Sequence, residues 1–284
     1  MITTYEVKQK TIELENLNDK IVLWFFGDVH RDTDSCDVER WKWFLKKAKE
    51  DENAYFIGMG DYHDFASTRE KKALNREMHE TTIKKFDDIA IRENKALMQE
   101  IGFIKGRTLG LVEGNHNWFS LNGKSSTEDL ADRLEADYLG WLCHYTLTLK
   151  FPKLNKSTSL HFVLCHGKAG GKTFGATLNQ VGDLKAIFPI ADIYCMGHDH
   201  QRAALPVSVL VPTHGNGVYS IKQKRQFLCR SGAFKKAYCP GEHTYEVGRL
   251  FKPADLGALR MTIGVHREEK KGTDRLITDI EATI

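Results

Sequence analysis

The 284-residue sequence predicts an α/β fold in which two β-sheets pack face to face and helices flank them. In the first half, short apolar runs alternate with segments of helical periodicity in the order βαβαβα. From Leu142 onward the pattern becomes rich in strands. Because no internal repeat, low-complexity tract or Pro/Ser-rich linker divides the chain, the simplest interpretation is a single domain over residues 1–284.

The composition is that of an ordinary soluble globular protein, with 41% hydrophobic and 28% charged residues. The formal net charge of +3 is too small to argue for nucleic-acid binding by itself. Six cysteines are scattered without close pairing, and the N-terminus lacks the pattern of a signal peptide. No apolar run approaches the ~20 residues of a membrane-spanning helix. We therefore expect reduced thiols, a cytoplasmic location and no association with membranes.

The N-terminal half is predicted as alternating strands and helices. Residues 2–15 alternate loosely between polar and apolar, which is typical of an edge strand or hairpin. Apolar runs that end at glycines predict strands at 21–26, 54–57 and 108–112. Helical spacing of apolar residues predicts helices at 38–48, 77–101 and 127–137. We expect Asp37 to cap the first of these helices, and Ser126 or Thr127 to cap the third.

The C-terminal half is predicted as strands at 145–149, 160–164, 190–196 and 205–211, with no helix as long as the earlier ones between them. The motifs described below place the functional core within residues 21–212. A basic segment, 221–252, is expected to pack on that core or extend it. This segment is suited to line a path for a polyanion, and an ordinary solvated surface is the alternative interpretation.

Five predicted strand ends each bring Asp, Asn or His next to a glycine. The series reads Gly27-Asp28-Val29-His30, Gly60-Asp61-Tyr62-His63-Asp64, Gly114-Asn115-His116-Asn117, Cys165-His166-Gly167 and Gly197-His198-Asp199-His200. Because ligands of open α/β sheets bind at the carboxyl ends of strands, these side chains are expected to face one cleft. The alternative is a set of turns with incidental polar residues. Carboxylates, amides and imidazoles without thiolates suit Mn²⁺, Fe or Zn²⁺.

The series resembles the calcineurin-like metallophosphoesterase superfamily, whose motifs run D-x-H, G-D, G-N-H, H and G-H-x-H. The resemblance extends from Gly27 to His200, about two thirds of the chain. It implies a four-layer α/β/β/α sandwich with mixed sheets and a two-metal site at the strand ends. The final Gly197-His198-Asp199-His200 is similar to the phosphodiesterase and nuclease branch of that superfamily.

The resemblance also implies roles for individual residues. One divalent metal ion would be held by Asp28, His30 and His200, and a second by Asn115, His166 and His198. Asp61 would bridge the two ions, for which Mn²⁺ is the first expectation and Fe or Zn²⁺ the alternatives. His116 would not be a ligand, and would act near the leaving group as general acid or transition-state stabiliser.

The sequence departs from the superfamily pattern at one position. An Asp or Glu commonly follows the histidine of G-N-H, whereas Asn117 stands here, and a neutral amide supports a positive charge on the ring less well. Related G-D-x-x-D patterns make Asp64 a candidate for the missing carboxylate. By their positions His63, Asp64 and Asn117 are candidates for substrate contact, although a structural role for His63 is an equal alternative.

The expected function is a dinuclear metal-dependent phosphodiesterase that hydrolyses P–O bonds of a nucleotide or nucleic acid with a metal-activated hydroxide. Two motifs differ from those of Ser/Thr protein phosphatases. They are Gly60-Asp61-Tyr62-His63-Asp64-Phe65 and Glu113-Gly114-Asn115-His116-Asn117. A small-molecule or protein phosphomonoesterase is the second interpretation, and a non-catalytic scaffold is a third. The pattern specifies neither the native metal nor the substrate, the direction of attack or the oligomeric state.

Overall fold

Two six-stranded mixed sheets form the framework of the fold. The computed structural model describes residues 5–66, 71, 78–168, 173–215, 218–239, 241, 245–248, 250, 253–270 and 273–284. The first sheet has the spatial order β1 (Glu6–Glu13), β6 (Leu142–Phe151), β7 (Lys156–Cys165), β8 (Ile193–Met196), β10 (Val218–Ser231) and β9 (Arg202–Gly215). The second has the order β12 (Thr273–Thr283), β11 (Leu259–Lys270), β2 (Ile21–Phe26), β3 (Ala54–Gly58), β4 (Thr108–Leu111) and β5 (Asp137–Tyr138).

Helices cover the outer face of each sheet. They are α1 (Val38–Glu50), α2 (Glu80–Ile101), α3 (Ser126–Leu134), α4 (Phe174–Ile187) and the short α5 (Tyr245–Gly248), with 3₁₀ turns at Gly102–Ile104 and Pro152–Leu154. Side chains of α1, α2 and α3 pack on the second sheet, and side chains of α4 pack on the first. No helix of the described residues has both the length and the apolar character needed to cross a membrane.

Alternation along β2 shows how the layers are joined. Leu23 and Phe25 point into the core between the two sheets, where the Phe25 ring lies 6.4 Å from that of Phe162 on β7. Trp24 and Phe26 point the other way, against the helices. A strand that is buried on both faces needs apolar side chains at successive positions, which explains why β2 is an uninterrupted apolar run. The layer order helix, sheet, sheet, helix confirms the predicted α/β/β/α sandwich with mixed sheets.

Most elements of the N-terminal half occur where they were predicted. Strand β1 is an edge strand that pairs in parallel with β6; residues 2–4 of the predicted strand lie outside the described part. Asp37 caps α1 by accepting a hydrogen bond from Arg40 N (3.0 Å). The cap predicted for α3 was wrong by one residue, because Ser125 Oγ accepts from Glu128 N (3.0 Å).

The hydroxyls expected to cap α3 have other partners. Ser126 Oγ accepts from Trp118 N (3.0 Å), and Thr127 Oγ1 donates to the buried Glu113 carboxylate (2.6 Å). Both contacts fasten the loop that follows β4. This loop carries the G-N-H motif, so the beginning of α3 helps to hold that motif in place.

The second half differs from the prediction in its longest helix. Helix α4 has 14 residues and α1 has 13, so a helix of full length does separate the later strands. Gly175 and Gly182 lower the helix propensity of this segment, and its apolar residues are not confined to one face. For these reasons the sequence pattern did not reveal it.

Strands C-terminal to residue 212 complete both sheets. Strand β10 lies beside β8 in the first sheet, and β11 pairs antiparallel with β2 in the second. The segment 221–252 therefore contributes most of β10 to the sheet, and Arg230, one of its basic residues, is fully buried. Arg249 and Lys252 of that segment lie outside the described residues. All six cysteines are free thiols.

Candidate metal centre

The backbone is unusual at the strand ends that carry the motifs. Five predicted ligands have a left-handed backbone: φ is 48° at Asp28, 46° at His30, 51° at Asp61, 70° at His198 and 60° at His200. For residues other than glycine this conformation costs roughly 1–2 kcal/mol each. A left-handed backbone persists only where surrounding contacts enforce it. Five such residues at the motif strand ends therefore indicate a functional site.

Two glycines allow the motif loops to approach one another. A Cβ at Gly114 would overlap the Asp61 carboxylate, and one at Gly60 would lie 2.6 Å from the ring nitrogen Nδ1 of His166. Gly60 also has a φ of 97°, which a side chain would disfavour. These positions need glycine because the loops from β3, β4 and β7 meet there.

The first predicted ligand set comes together. Ligand atoms of Asp28, His30 and His200 all lie within 4.8 Å of one another. His200 Nε2 is 3.5 Å from Asp28 Oδ1, while Asp28 Oδ2 accepts a hydrogen bond from His198 N (2.9 Å). One oxygen of Asp28 thus fixes the neighbouring motif, and the other faces the ligand group.

The second set assembles around His166. Its Nε2 lies 3.0 Å from Asp61 Oδ2, 3.0 Å from Asn115 Oδ1 and 3.1 Å from His198 Nδ1. Its other nitrogen, Nδ1, contacts the carbonyl oxygen of Met59 at 2.7 Å. A carbonyl accepts a hydrogen bond, so it fixes the ring orientation and directs Nε2 toward the centre.

Asp61 stands between the two sets. Its Oδ2 lies 3.0 Å from His166 Nε2 and 3.9 Å from His30 Nε2. Its Oδ1 accepts a hydrogen bond from His116 N (2.9 Å). The structure therefore brings all seven predicted ligands into one cluster, in which Asp61 lies near members of both sets.

The charges in this cluster favour a cation. Burial raises the pKa of the Asp28 carboxyl to about 7, although the facing His166 opposes this effect. Burial alone would lower the pKa of His166, but Asp61 and Asp28 outweigh it and raise that pKa to about 9. Burial and the neighbouring His166 lower the pKa of His198 to about 4. Burial thus disfavours the charged form of Asp28 when no cation compensates it, and both aspartates favour positive charge at His166.

The polar atoms of the cluster fit metal ions. Within the described part of the chain, Asp28 Oδ1 and His30 Nε2 are buried without a hydrogen-bond partner. Buried polar groups are normally paired, so unpaired atoms that converge call for a ligand of their own. Carboxylate oxygens, an amide oxygen and imidazole nitrogens are the donors that borderline divalent ions prefer.

His116 lies beside the cluster and pairs with Asp64. Its Nδ1 contacts Asp64 Oδ1, and the other oxygen of Asp64 is 3.5 Å from His30 Nδ1 and 3.3 Å from Lys235 Nζ. Burial alone would lower the pKa of His116, but the Asp64 carboxylate raises it overall. The same contact holds the pKa of Asp64 below its usual range despite the burial of that carboxyl. The histidine therefore has the carboxylate partner that Asn117 cannot provide.

Asn117 has a different environment. It is buried, and its amide oxygen accepts a hydrogen bond from Lys71, whose Nζ also donates to Asn115 O (3.0 Å). Burial lowers the pKa of Lys71 to about 8. The substrate contact predicted for Asn117 stays a prediction, and the structure shows this residue in contact with a lysine that no sequence motif identified.

His63 is also buried. Its Nε2 lies 3.0 Å from Asn94 Oδ1, and Asn94 donates to Ser126 O (2.8 Å) at the beginning of α3. The ring stacks on Phe65, with 4.9 Å between centroids. These contacts are those of a structural histidine, and the predicted substrate contact remains untested.

The sequence reasoning missed three cationic side chains near the centre, namely Lys71, Lys235 and Arg230. Lys71 and Lys235 each contact a motif residue, as described above. Arg230 donates to the carbonyl of Gly197 (2.8 Å) in the last motif. For Lys235 and Arg230 the sequence signal was the basic character of 221–252, which predicts either a path for a polyanion or an ordinary solvated surface.

The chain matches no protein-family model and no curated protein. It is similar in structure to wild-type Vps29 from Entamoeba histolytica complexed with Zn²⁺, at 11% identity and a TM-score of 0.35, over 92% of this chain and 99% of that one. It is similar to GAP50, the anchor in the inner membrane complex of Plasmodium, at 10% identity and a TM-score of 0.40, over 92% and 84% of the two chains.

A third similar structure is a conserved uncharacterized protein, a predicted phosphoesterase, from Streptococcus pneumoniae TIGR4. Its identity is 10% and its TM-score 0.34, over 92% of this chain and 99% of that one. Because all three TM-scores are low, these likenesses carry no functional argument.

Proposed function

We propose that this protein is a dinuclear metal-dependent phosphoesterase that hydrolyses P–O bonds, with a phosphodiester of a nucleotide or nucleic acid as its substrate. The observation that carries the proposal is the pair of ligand sets joined by Asp61. Two-metal sites of this kind serve in-line displacement at phosphorus. In this proposal Asp28, His30 and His200 hold one ion, Asn115, His166 and His198 hold the other, and Asp61 bridges them.

When bound, the ions supply Lewis-acid polarisation of the phosphoryl oxygens and lower the pKa of the attacking water. The protein supplies the orientation of the ligands. The Met59 carbonyl fixes the ring of His166, and the main-chain N–H groups of His198 and His116 fix one oxygen each of Asp28 and Asp61. Preorganised groups of this kind need no rearrangement when charge develops in the transition state.

His116 is proposed as the general acid. Its Nδ1 lies against Asp64, so Nε2 is the ring nitrogen that would give a proton to the departing oxygen. Asp64 raises the pKa of this histidine and so favours the protonated ring. The role of Asp64 is thus to hold and charge His116.

The preference for a diester is supported by the resemblance of the final Gly197-His198-Asp199-His200 to phosphodiesterases. Lys71 and Lys235 place positive charge on two sides of the centre, which suits a polyanionic substrate. A phosphomonoesterase is the second candidate, because the same ligand sets and cations suit a dianionic phosphate equally well.

The test compares hydrolysis of bis-p-nitrophenyl phosphate and p-nitrophenyl phosphate by metal-stripped protein that has been refilled with Mn²⁺. We expect faster turnover of the diester. Asp61→Asn should reduce kcat at least about 100-fold, since it weakens the bridge between the two sets. Asp34→Asn removes an exposed carboxylate of the loop after His30 and should leave kcat unchanged.

A preference for the monoester would contradict the phosphodiesterase proposal and support the second candidate, a phosphomonoesterase. Turnover of neither compound by protein that demonstrably binds Mn²⁺ would contradict both and favour a scaffold. Equal activity of Asp61→Asn and the unaltered protein would contradict the assignment of the bridging residue.

A further inference from the structure

A fully buried arginine lies directly behind the last motif. Arg230, on β10, has no exposed surface, and it is among the largest completely buried side chains of the described residues. A buried guanidinium is costly unless its N–H groups are hydrogen-bonded and its charge is paired. The groups that pair with the Arg230 guanidinium therefore indicate the role of this residue.

Two of these partners belong to the motif turn at residues 197–200. Arg230 Nη1 donates to Gly197 O (2.8 Å), and Nη2 lies 3.2 Å from the Asp199 carboxylate oxygen Oδ2. Gly197 and Asp199 flank His198, and Asp199 also precedes His200. The Arg230 guanidinium thus contacts the residues before and after His198, and the second of these also precedes His200.

The remaining donors of Arg230 reach helix α4. Nε donates to Thr177 O (3.0 Å), and Nη2 donates to Gln180 Oε1 (3.0 Å). Both acceptors belong to the first half of the helix. The arginine therefore ties the motif turn to a separate, regular element of the fold.

The turn needs such a restraint. His198 and His200 have φ values of 70° and 60°, and left-handed residues of this type relax unless contacts enforce them. Asp28 Oδ2 holds His198 N from the side of the centre. Arg230 contacts the same turn at Gly197 and Asp199.

The contacts of Asp199 differ from those of His198 and His200, the predicted metal ligands on either side of it. Its Oδ1 accepts from Gln201 N (3.2 Å), and its Oδ2 faces Arg230. Only 6% of the Asp199 side chain is exposed, so the pair lies almost entirely out of solvent. Asp199 thus provides the negative charge that pairs with Arg230, at 3.2 Å, next to the predicted ligands.

We infer that Arg230 is a positioning residue of the metal centre, which sets the direction of the His198 and His200 imidazoles by clamping the turn between them. The inference rests on the proposed metal centre and goes beyond it, since the basic segment 221–252 was expected to meet solvent or substrate. A lysine cannot replace the clamp, because a single ammonium lacks the planar fork that reaches Gly197, Asp199 and Thr177 together.

The test measures Mn²⁺ affinity by titration calorimetry on the metal-stripped full chain. We expect Arg230→Lys to weaken binding about 10- to 100-fold, the usual effect of losing a group that orients metal ligands. Arg260→Lys is the matched control: this arginine forms a two-point contact with Asp51 and lies on β11, away from the centre. It should lower thermal stability and leave the Mn²⁺ affinity within threefold of the unaltered protein.

Asp199→Asn provides a second variant in case Arg230→Lys does not fold. It keeps the size of the side chain and its acceptor for Gln201 N, and removes the charge that Arg230 pairs with. We expect it to weaken Mn²⁺ binding in the same direction while circular dichroism shows a folded protein.

Three results overturn or support the inference. Weaker Mn²⁺ binding by either folded variant, with Arg260→Lys unaffected, supports it. Mn²⁺ affinities within threefold of the unaltered protein, with only the melting temperature lowered, show that Arg230 is merely structural. Failure of the unaltered protein to bind Mn²⁺ overturns the proposed function together with this inference, so the two failures are distinguishable.

Discussion

At the scale of single residues, the contact between His116 and Asp64 leads us to expect that the two residues act together in the proposed acid chemistry. Asp64 contacts His116 Nδ1 and raises the pKa of that ring. If the two residues act as one unit, Asp64→Asn and His116→Gln should each lower kcat by about 10²–10⁴-fold, the range for general acid catalysis. The double variant should be no slower than the slower single variant, because either single change already removes the joint function of the two residues.

The measurement is kcat for the preferred nitrophenyl ester in the three variants, with Mn²⁺ content determined on the same samples. Asp34→Asn serves as the control for loss of a carboxylate from this side of the molecule. Multiplicative losses in the double variant would show that the residues act independently, and would contradict the positioning role of Asp64.

The clustering of the candidate ligands could be predicted from the sequence because each follows a strand end in a short motif, and ligands of α/β sheets bind at the carboxyl ends of strands. Asp64 could be proposed from the spacing after Asp61. Lys71, Lys235 and Arg230 could not, since they reach the centre from distant segments that carry no motif. Arg230 is 33 residues from Gly197 in sequence, and only the neighbouring positions of β8 and β10 in the sheet bring them together.

At the scale of secondary-structure elements, Asp51 joins three parts of the second sheet and its helices. It follows α1, and its carboxylate accepts hydrogen bonds from Trp24 Nε1 on β2 (2.9 Å) and from Arg260 on β11 (2.9 and 3.0 Å). We expect Asp51→Asn to lower the free energy of unfolding by about 1–2 kcal/mol, less than a fully buried charged pair because the site is partly exposed. Urea unfolding followed by circular dichroism measures this.

This loss should depend on pH. Burial alone would raise the pKa of Asp51, but hydrogen bonds from Arg260 and Trp24 outweigh it and lower the pKa below its ordinary value of 3.8. A lowered pKa in the folded state means that the stabilisation is complete above the unfolded pKa and is lost as pH falls through the folded one. The difference between Asp51→Asn and the unaltered protein should therefore be constant near neutrality and shrink below about pH 4.

Glu50→Gln is the control for this experiment, because Glu50 is the adjacent residue and forms only an exposed pair with Lys47. It should leave stability at neutral pH almost unchanged. A difference for Asp51→Asn that persists undiminished at pH 2–3, measured by the same unfolding transitions, would show that the charge of Asp51 is not what stabilises the sheet.

Elements with clear periodicity could be predicted, and those shaped by their surroundings could not. Strand β2 reads as a continuous apolar run because both of its faces are buried. Helix α4 escaped notice because its two glycines and evenly spread apolar residues resemble a loop or strand region. Strands β11 and β12 were not predicted, since their long antiparallel pairing is set by β11 docking against β2, far away in sequence.

At the scale of the whole molecule, the proposed metal centre draws its candidate ligands from both sheets. Asp28, Asp61 and Asn115 follow β2, β3 and β4 of the second sheet, whereas His166 and His198 follow β7 and β8 of the first. Metal ions that bind this cluster would link the two sheets and relieve the repulsion between its buried carboxylates. Because a ligand that binds only the folded state stabilises it, Mn²⁺ at 100 times its Kd should add about 2.7 kcal/mol.

Metal-stripped protein should therefore melt several degrees lower than the same protein refilled with Mn²⁺, as measured by calorimetry. His166→Gln removes a ring nitrogen that lies 3.0 Å from Asp61 Oδ2 and 4.0 Å from Asp28 Oδ1, and it should abolish the Mn²⁺-dependent rise. His161→Gln is the matched control, since it makes the same change on β7, the strand that His166 follows, where the ring contacts Thr146 rather than the centre. An equal rise in both variants would place the Mn²⁺ that stabilises the protein outside the His166 cluster and contradict the assignment of that histidine.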